Sequence, residues 1–136
     1  LRGTIYCTEK YGIQPNIKAI IMTASVSAHN GAEFPEYCAS KGGVLAYTKN
    51  VALRVAKYGA TCNSISAGGV ITELNAHILE NKSLWNQFME ETLVPKGATV
   101  GEMAEWTYFL AVVNKSMTAQ DVLIDNGEIA KANFVW

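Results

Sequence analysis

The stretch "IKAIIMTAS", residues 17 to 25, limits what this chain can become more than any other. It is a near-continuous apolar run rich in β-branched residues, the composition of a strand buried on both faces in a parallel sheet. The longest apolar stretch, "AIIMTASVSA", is too short and too polar to span a bilayer. A parallel sheet needs crossover helices, so the rest of the chain is read for them.

The flanking segments supply that alternation. Residues 1 to 14 read as the end of a helix broken by Gly12 and Pro15. "VSAHNGAEFP" reads as a loop, with Pro35 suited to a helix's first turn. From Pro35 to Tyr58 the spacing of Val44, Tyr47, Val51, Ala52 and Val55 predicts a long helix stopped by Gly59. "ATCNSIS" is a second strand, followed by the glycine turn "AGGVIT". Residues 73 to 92 are predicted helical with a break at "ENKS". The next predicted helix, "TVGEMAEWTYFLAVV", opens with Thr99 and Glu102 in capping-box positions. "QDVLID" is a third strand, ending in the turn "DNGE". Strand and helix alternating in this way predict an α/β fold with right-handed parallel crossovers.

Composition narrows the function. Apolar residues at 49% and charged residues at 17% are globular proportions. A net charge of −1 without a basic block excludes a phosphate-tracking nucleic-acid surface. Cys7, Cys38 and Cys62 have neither metal-ligand spacing nor a disulfide framework, which fits a reducing cytoplasm. His29 and His77 have no carboxylate or second histidine at ligand spacing, so no metal site is expected.

The segment "EYCASKGG" places Tyr37 four positions before Lys41, on one face of the long helix. Two unit charges about 5 Å apart at an effective dielectric of 20 interact by roughly 3 kcal/mol, or about 2 pK units. A lysine so placed brings a phenol toward the range of a general acid/base. The spacing also arises by chance, with a snorkelling lysine beside a half-buried tyrosine as the alternative. Ser25 lies twelve residues earlier, at the carboxyl end of the first strand, where reactive groups gather in parallel sheets. Its alternative role is simply to begin the loop.

These motifs together resemble the C-terminal half of a short-chain dehydrogenase/reductase. "IIMTASVS" resembles the family's strand ending in the catalytic serine, and "YCASK" its Tyr-x-x-x-Lys motif. "NSISAGGVIT" resembles its Asn-x-x-x-Pro-Gly-x-x-x-Thr segment. "PKGATVGEMA", "LIDNG" and "LRGTIYC" are similar to further family segments in the same order. The resemblance covers nearly all 136 residues. It implies the C-terminal half of a Rossmann-like doubly wound parallel sheet, with three strands and their crossover helices. Tyr37 would be the general acid/base, Lys41 would hold the nicotinamide ribose, and Ser25 would bond the substrate oxygen. Gly68, Val70 and Thr72 would contact the cofactor. Ser25, Ser27, Tyr37 and Trp85 would meet the substrate.

The implied reaction is hydride transfer between NADP or NAD, NADP being preferred, and a carbonyl or secondary alcohol. "SLWNQF" with "VPKG" is similar to ketose and polyol reductases of the sorbose reductase and mannitol dehydrogenase kind. Trp85, Phe88, Met89 and Leu93 form an apolar lid stripe, or else pack the helix to the body.

Ala67 replaces the family's proline and Asn126 the first glycine of its terminal turn. No Gly-x-x-x-Gly-x-Gly occurs, and the chain opens without methionine. The expectation is therefore a single partial domain over 1–136, lacking the N-terminal phosphate loop and leaving a strand edge unpaired. The family's habits imply a homo-oligomer, formed through the face of the long helix carrying Ala46, Asn50 and Arg54. The alternative is a truncated, non-catalytic chain acting as an interaction module. A dehalogenase-like relative ranks lower, because such relatives carry arginine where Lys41 stands.

Overall fold

Three strands, β1 (Ala19–Thr23), β2 (Thr61–Ala67) and β3 (Asp121–Ile124), pair in parallel in that order. The structure, a computed structural model, describes residues 1–32 and 34–131. Ala19 stands opposite Thr61 and Thr23 opposite Ile65, while Ser64 stands opposite Asp121 and Ala67 opposite Ile124. The predicted α/β class and three-stranded parallel sheet are observed. Among the described residues nothing pairs with the outer edge of β1.

That edge position corrects one expectation. The strand buried through its length is β2, with Cys62 to Ser66 all buried, whereas Ala19, Ile20 and Ile21 of β1 are half-buried. Apolar composition marks both strands as interior, but only the central one has neighbours on two sides.

A short helix, α1 (Arg2–Cys7), runs into a π turn at Thr8–Gly12 and so reaches β1. After β1 the stretch predicted as loop contains a one-turn helix, α2 (Ser27–Asn30), ended by Gly31 at φ 68°. Its polar residues hid it from apolar periodicity, which a single turn is too short to display.

The long helix α3 (Pro35–Val55) starts with proline in its first turn, as expected. Its α-helical part ends at Val55, and a 3₁₀ turn, Ala56–Tyr58, carries the chain to Gly59 at φ 68°. Val44, Val51, Ala52 and Val55 bury against Met22 and Cys62, forming the core between α3 and the sheet. Each valine buried there contributes roughly 1.5–3 kcal/mol. Alternation along β2 sends Ile65 to the opposite face, where it is equally buried.

Beyond β2 a 3₁₀ turn, Glu73–Asn75, leads into α4 (Ala76–Glu80) and α5 (Lys82–Glu90). The predicted break falls at Asn81, whose side chain accepts from the backbone N–H groups of Ser83 and Leu84 and so caps α5. Helix α6 (Val100–Tyr108) begins with the expected Thr99–Glu102 capping box. It continues as a π turn, Phe109–Val113, whose Leu110 is fully buried and which packs against β1. The turn after β3 holds Asn126 at φ 53°, a left-handed conformation that asparagine tolerates.

Arg54 does not project freely from α3. Its guanidinium binds Glu9 through two parallel bonds of 2.5 and 2.7 Å, and the Tyr47 hydroxyl donates to the same carboxylate at 2.7 Å. Arg54, then Tyr47, hold the Glu9 carboxyl down at about 2, against an ordinary 4.5. Burial, then the bond to Glu9, push Tyr47 up to about 12. A depressed carboxyl stabilises the fold above its unfolded value and loses that contribution as pH falls toward 2. The pair is exposed, so its worth is modest and salt-sensitive. Thermal melts should therefore show a steeper loss between pH 4.5 and 2 for the wild type than for Glu9→Gln. Parallel curves would remove this tether from the account.

Candidate functional site

The site begins where β1 stops. Hydrogen bonding to β2 continues past Thr23: Ala24 N–H donates to the Ile65 carbonyl at 2.8 Å and Val26 N–H to the Ala67 carbonyl at 3.0 Å. Residues 24 to 26 are thereby clamped, and Ser25 is set at the carboxyl end of the sheet. Its hydroxyl donates to Ser27 Oγ at 3.1 Å and accepts from Ser27 N–H at 3.2 Å, both residues being buried. This is a local turn that serine favours because its oxygen reaches the backbone two residues on.

Tyr37 lies in the first turn of α3 and is 40% exposed. Lys41 follows one turn later, its Nζ 5.6 Å from the centre of the Tyr37 ring. The same ammonium donates to the Thr23 carbonyl at 3.0 Å, tying the start of α3 to the end of β1. An ammonium has three donors, so two remain for other partners. Ser25, Ser27, Tyr37, Lys41 and Gly68 all line one cavity of about 700 Å³.

Gly68 extends β2, donating its N–H to the Ile124 carbonyl at 3.0 Å. At Gly69 an added Cβ would lie 2.2 Å from the Phe88 ring. Only glycine lets α5 seat that ring on the turn. Phe88 and Ile78 then give the cavity apolar surface beside its hydroxyl and ammonium donors. Glu91 and Glu128 line it as well, and a pocket that mixes polar groups with apolar surface suits a small organic molecule carrying a carbonyl or hydroxyl.

Three residues expected to touch cofactor or substrate, Val70, Thr72 and Trp85, are not on this cavity, nor are Met89 and Leu93 of the lid stripe. Val70 forms an isolated parallel bridge with Ala98, and its carbonyl accepts from Asn75 at 2.7 Å. Thr72 caps the Glu73–Asn75 turn, its N–H donating to Asn75 Oδ1 at 2.8 Å. Trp85 leans on Phe88 at 5.8 Å with a 50° tilt, so the phenylalanine, not the tryptophan, reaches the cavity. Asn75 also lines the cavity and was not singled out from the sequence. The Thr72-x-x-Asn75 spacing, a capping box, is the signal that points to it.

The chain matches the sequence profile of a family described as enoyl-(acyl carrier protein) reductase over residues 1–128. It is 28% identical over 110 residues to an L-rhamnose 1-dehydrogenase (NADP(+)) of Thermoplasma acidophilum, covering 79% of this chain and 43% of that protein. It is 35% identical over 141 residues to an uncharacterized oxidoreductase of Bacillus subtilis, covering 96% of this chain and 51% of that one. The chain thus spans about half the length of the curated relatives it matches. Its fold superposes with a TM-score of 0.86 on a short-chain type dehydrogenase/reductase from Mycobacterium ulcerans, at 23% identity, over 96% of this chain and 50% of that one.

The Phe88–Gly69 contact can be tested alone. Gly69→Ala should destabilise by about 1–3 kcal/mol through overpacking. In a Phe88→Ala background the same change should cost little, as read by denaturant melts. Equal costs in both backgrounds would mean that the ring does not sit on the turn.

Proposed function

Because the chain belongs to the short-chain dehydrogenase/reductase family, we propose that it is the catalytic half of a nicotinamide-dependent reductase. Its substrate is a carbonyl compound or the matching secondary alcohol. The observation that carries the proposal is the shared cavity of Ser25, Tyr37 and Lys41 at the carboxyl ends of β1 and β2. When bound, NADPH or NADH would supply the hydride and NADP or NAD would accept it. NADP is the preferred form, in keeping with the relative whose name specifies it.

The residues present fit the ribose and nicotinamide end of such a cofactor. Lys41 keeps two donors for ribose hydroxyls while its third holds Thr23. Gly68 lines the cavity by its backbone, the place of its missing side chain being taken by Asp125 and Glu128. Val70 and Thr72 stay expected cofactor contacts of this reading, and both are bonded to Asn75, which lines the cavity. The phosphate loop belongs to the remainder of a longer domain, of which residues 1–136 are the partial unit.

In the reducing direction Tyr37 gives its hydroxyl proton to the substrate oxygen. Ser25 turns its own hydrogen from Ser27 to that oxygen, placing a donor where negative charge develops. Ser27, a hydroxyl able to donate as well as accept, then reverses its bond and satisfies Ser25. Phe88 and Ile78 keep water from one side of the cavity.

Ketoses or polyols are the substrates in this reading, which rests on the resemblance of "SLWNQF" and "VPKG"; the Thermoplasma relative is named for a sugar, an aldose, and supports only that broader class. The same proposal places the protein in the cytoplasm, in keeping with three unpaired cysteines. It assembles as a homo-oligomer through the exposed face of α3, where Ala46, Asn50 and the 79% exposed Leu53 lie.

In the full-length protein Tyr37→Phe should lower kcat by about 100- to 10,000-fold, the usual worth of a general acid/base. NADPH affinity, followed by nicotinamide fluorescence, should change little. Turnover at the wild-type rate would refute the role given to Tyr37.

A further inference from the structure

His29 has no polar partner near it in sequence, yet the fold brings it one from 92 residues away. Its Nε2 lies 2.8 Å from Asp121 Oδ2 at the start of β3 and 3.4 Å from Ser66 Oγ on β2. The other carboxylate oxygen accepts from the Ser64 hydroxyl at 2.5 Å. Asp121 is therefore gripped at both oxygens. A carboxylate only accepts, so Nε2 carries the hydrogen.

Serine and carboxylate share one ring nitrogen here. A hydrolytic relay uses opposite nitrogens for its serine and its acid, so this cluster is not a nucleophilic triad. It is a tie, and its consequence lies in where His29 sits.

His29 is the third residue of α2, whose first residue, Ser27, is bonded to Ser25. Ser27 and Asn30, three apart and on one face, line the large cavity. His29, on the other face, lines a separate cavity of about 270 Å³ with Ser64 and Asp121. A helix of four residues cannot stabilise itself. Among the described residues, the His29 side chain makes the only side-chain hydrogen bonds from α2 to the sheet.

We infer that His29 is a positioning residue: by bonding Asp121 it fixes α2 across the sheet and so holds Ser27, the hydrogen-bond partner of the Ser25 hydroxyl, in the cavity wall. The inference rests on the catalytic reading of Ser25 given above, and the test separates the two.

In the full-length protein, NADPH oxidation is measured with a panel of ketoses and simple ketones such as 2,3-butanedione. Ser25→Ala should lower kcat by about 100-fold or more. His29→Ala should lower kcat by about tenfold, a loss of roughly 1.4 kcal/mol in the transition state. It should leave NADPH affinity within about twofold, a change of under about 0.5 kcal/mol.

In the Ser25→Ala background His29→Ala should have no further effect on kcat, because its action passes through Ser25. His29→Gln, which keeps an N–H donor for Asp121, should recover most of the rate. Where His29→Ala melts at assay temperature, Asp121→Ala removes the acceptor and so breaks the tie from the other end; it should show the same dependence on Ser25.

A merely structural histidine would lower the melting temperature and reduce kcat equally in both backgrounds, which would overturn the inference. A kcat unchanged by His29→Ala, with Ser25→Ala still damaging, would also overturn it and leave the function standing. Harmless Ser25→Ala, or no turnover of any panel member by the wild type, would refute the catalytic reading and this inference together.

Discussion

The pairing of β1 with β2 does not end with the strand. Two further backbone bonds, Ala24 to Ile65 and Val26 to Ala67, hold the chain against β2 as far as Val26, where it turns into α2. Each contributes about 0.5–1.5 kcal/mol net, but leaving such groups unpaired in a buried position costs more. Their structural effect exceeds their energy. They deliver Ser25 to the sheet's carboxyl edge, leave the Thr23 carbonyl to receive Lys41, and start α2 against the sheet. Without that continuation, the serine and the Tyr37–Lys41 helix would have no common frame.

A second theme is how little of the cavity wall stands alone. α2 is one turn long, and the segment from Glu73 to Glu90 is three short pieces joined by caps at Thr72 and Asn81. Phe88 reaches the cavity only because Gly69 carries no side chain. Short elements held by caps and single contacts open at low cost compared with a core strand. That is the expected character of a wall that admits and releases a small molecule.

Much of this was legible in the sequence. The three strands, the α3 helix, the capping box at Thr99 and the turn at Asn126 each have a local cause that the sequence displays. Burial of β1 was overstated, since a strand's apolar residues do not say whether it lies at the edge. Single-turn α2 was missed because one turn of polar residues has no period. Ser25, Ser27, Tyr37, Lys41 and Gly68 come together on one cavity, while Val70, Thr72 and Trp85 do not reach it. The difference lies in side-chain partners: Asn75 bonds Thr72 and Val70, and Trp85 packs on Phe88, which itself lines the cavity. Local spacing likewise gave His29 no partner, because Asp121 arrives only through strand order.

The most direct test is a crystal structure of the full-length protein with NADPH and an unreactive alcohol or ketone analogue. The account predicts the ligand oxygen within about 3.2 Å of both the Ser25 and Tyr37 hydroxyls, with Lys41 bridging Thr23 and the ribose. A ligand oxygen bound away from these two hydroxyls, in a complex competent to turn over its substrate, would contradict it.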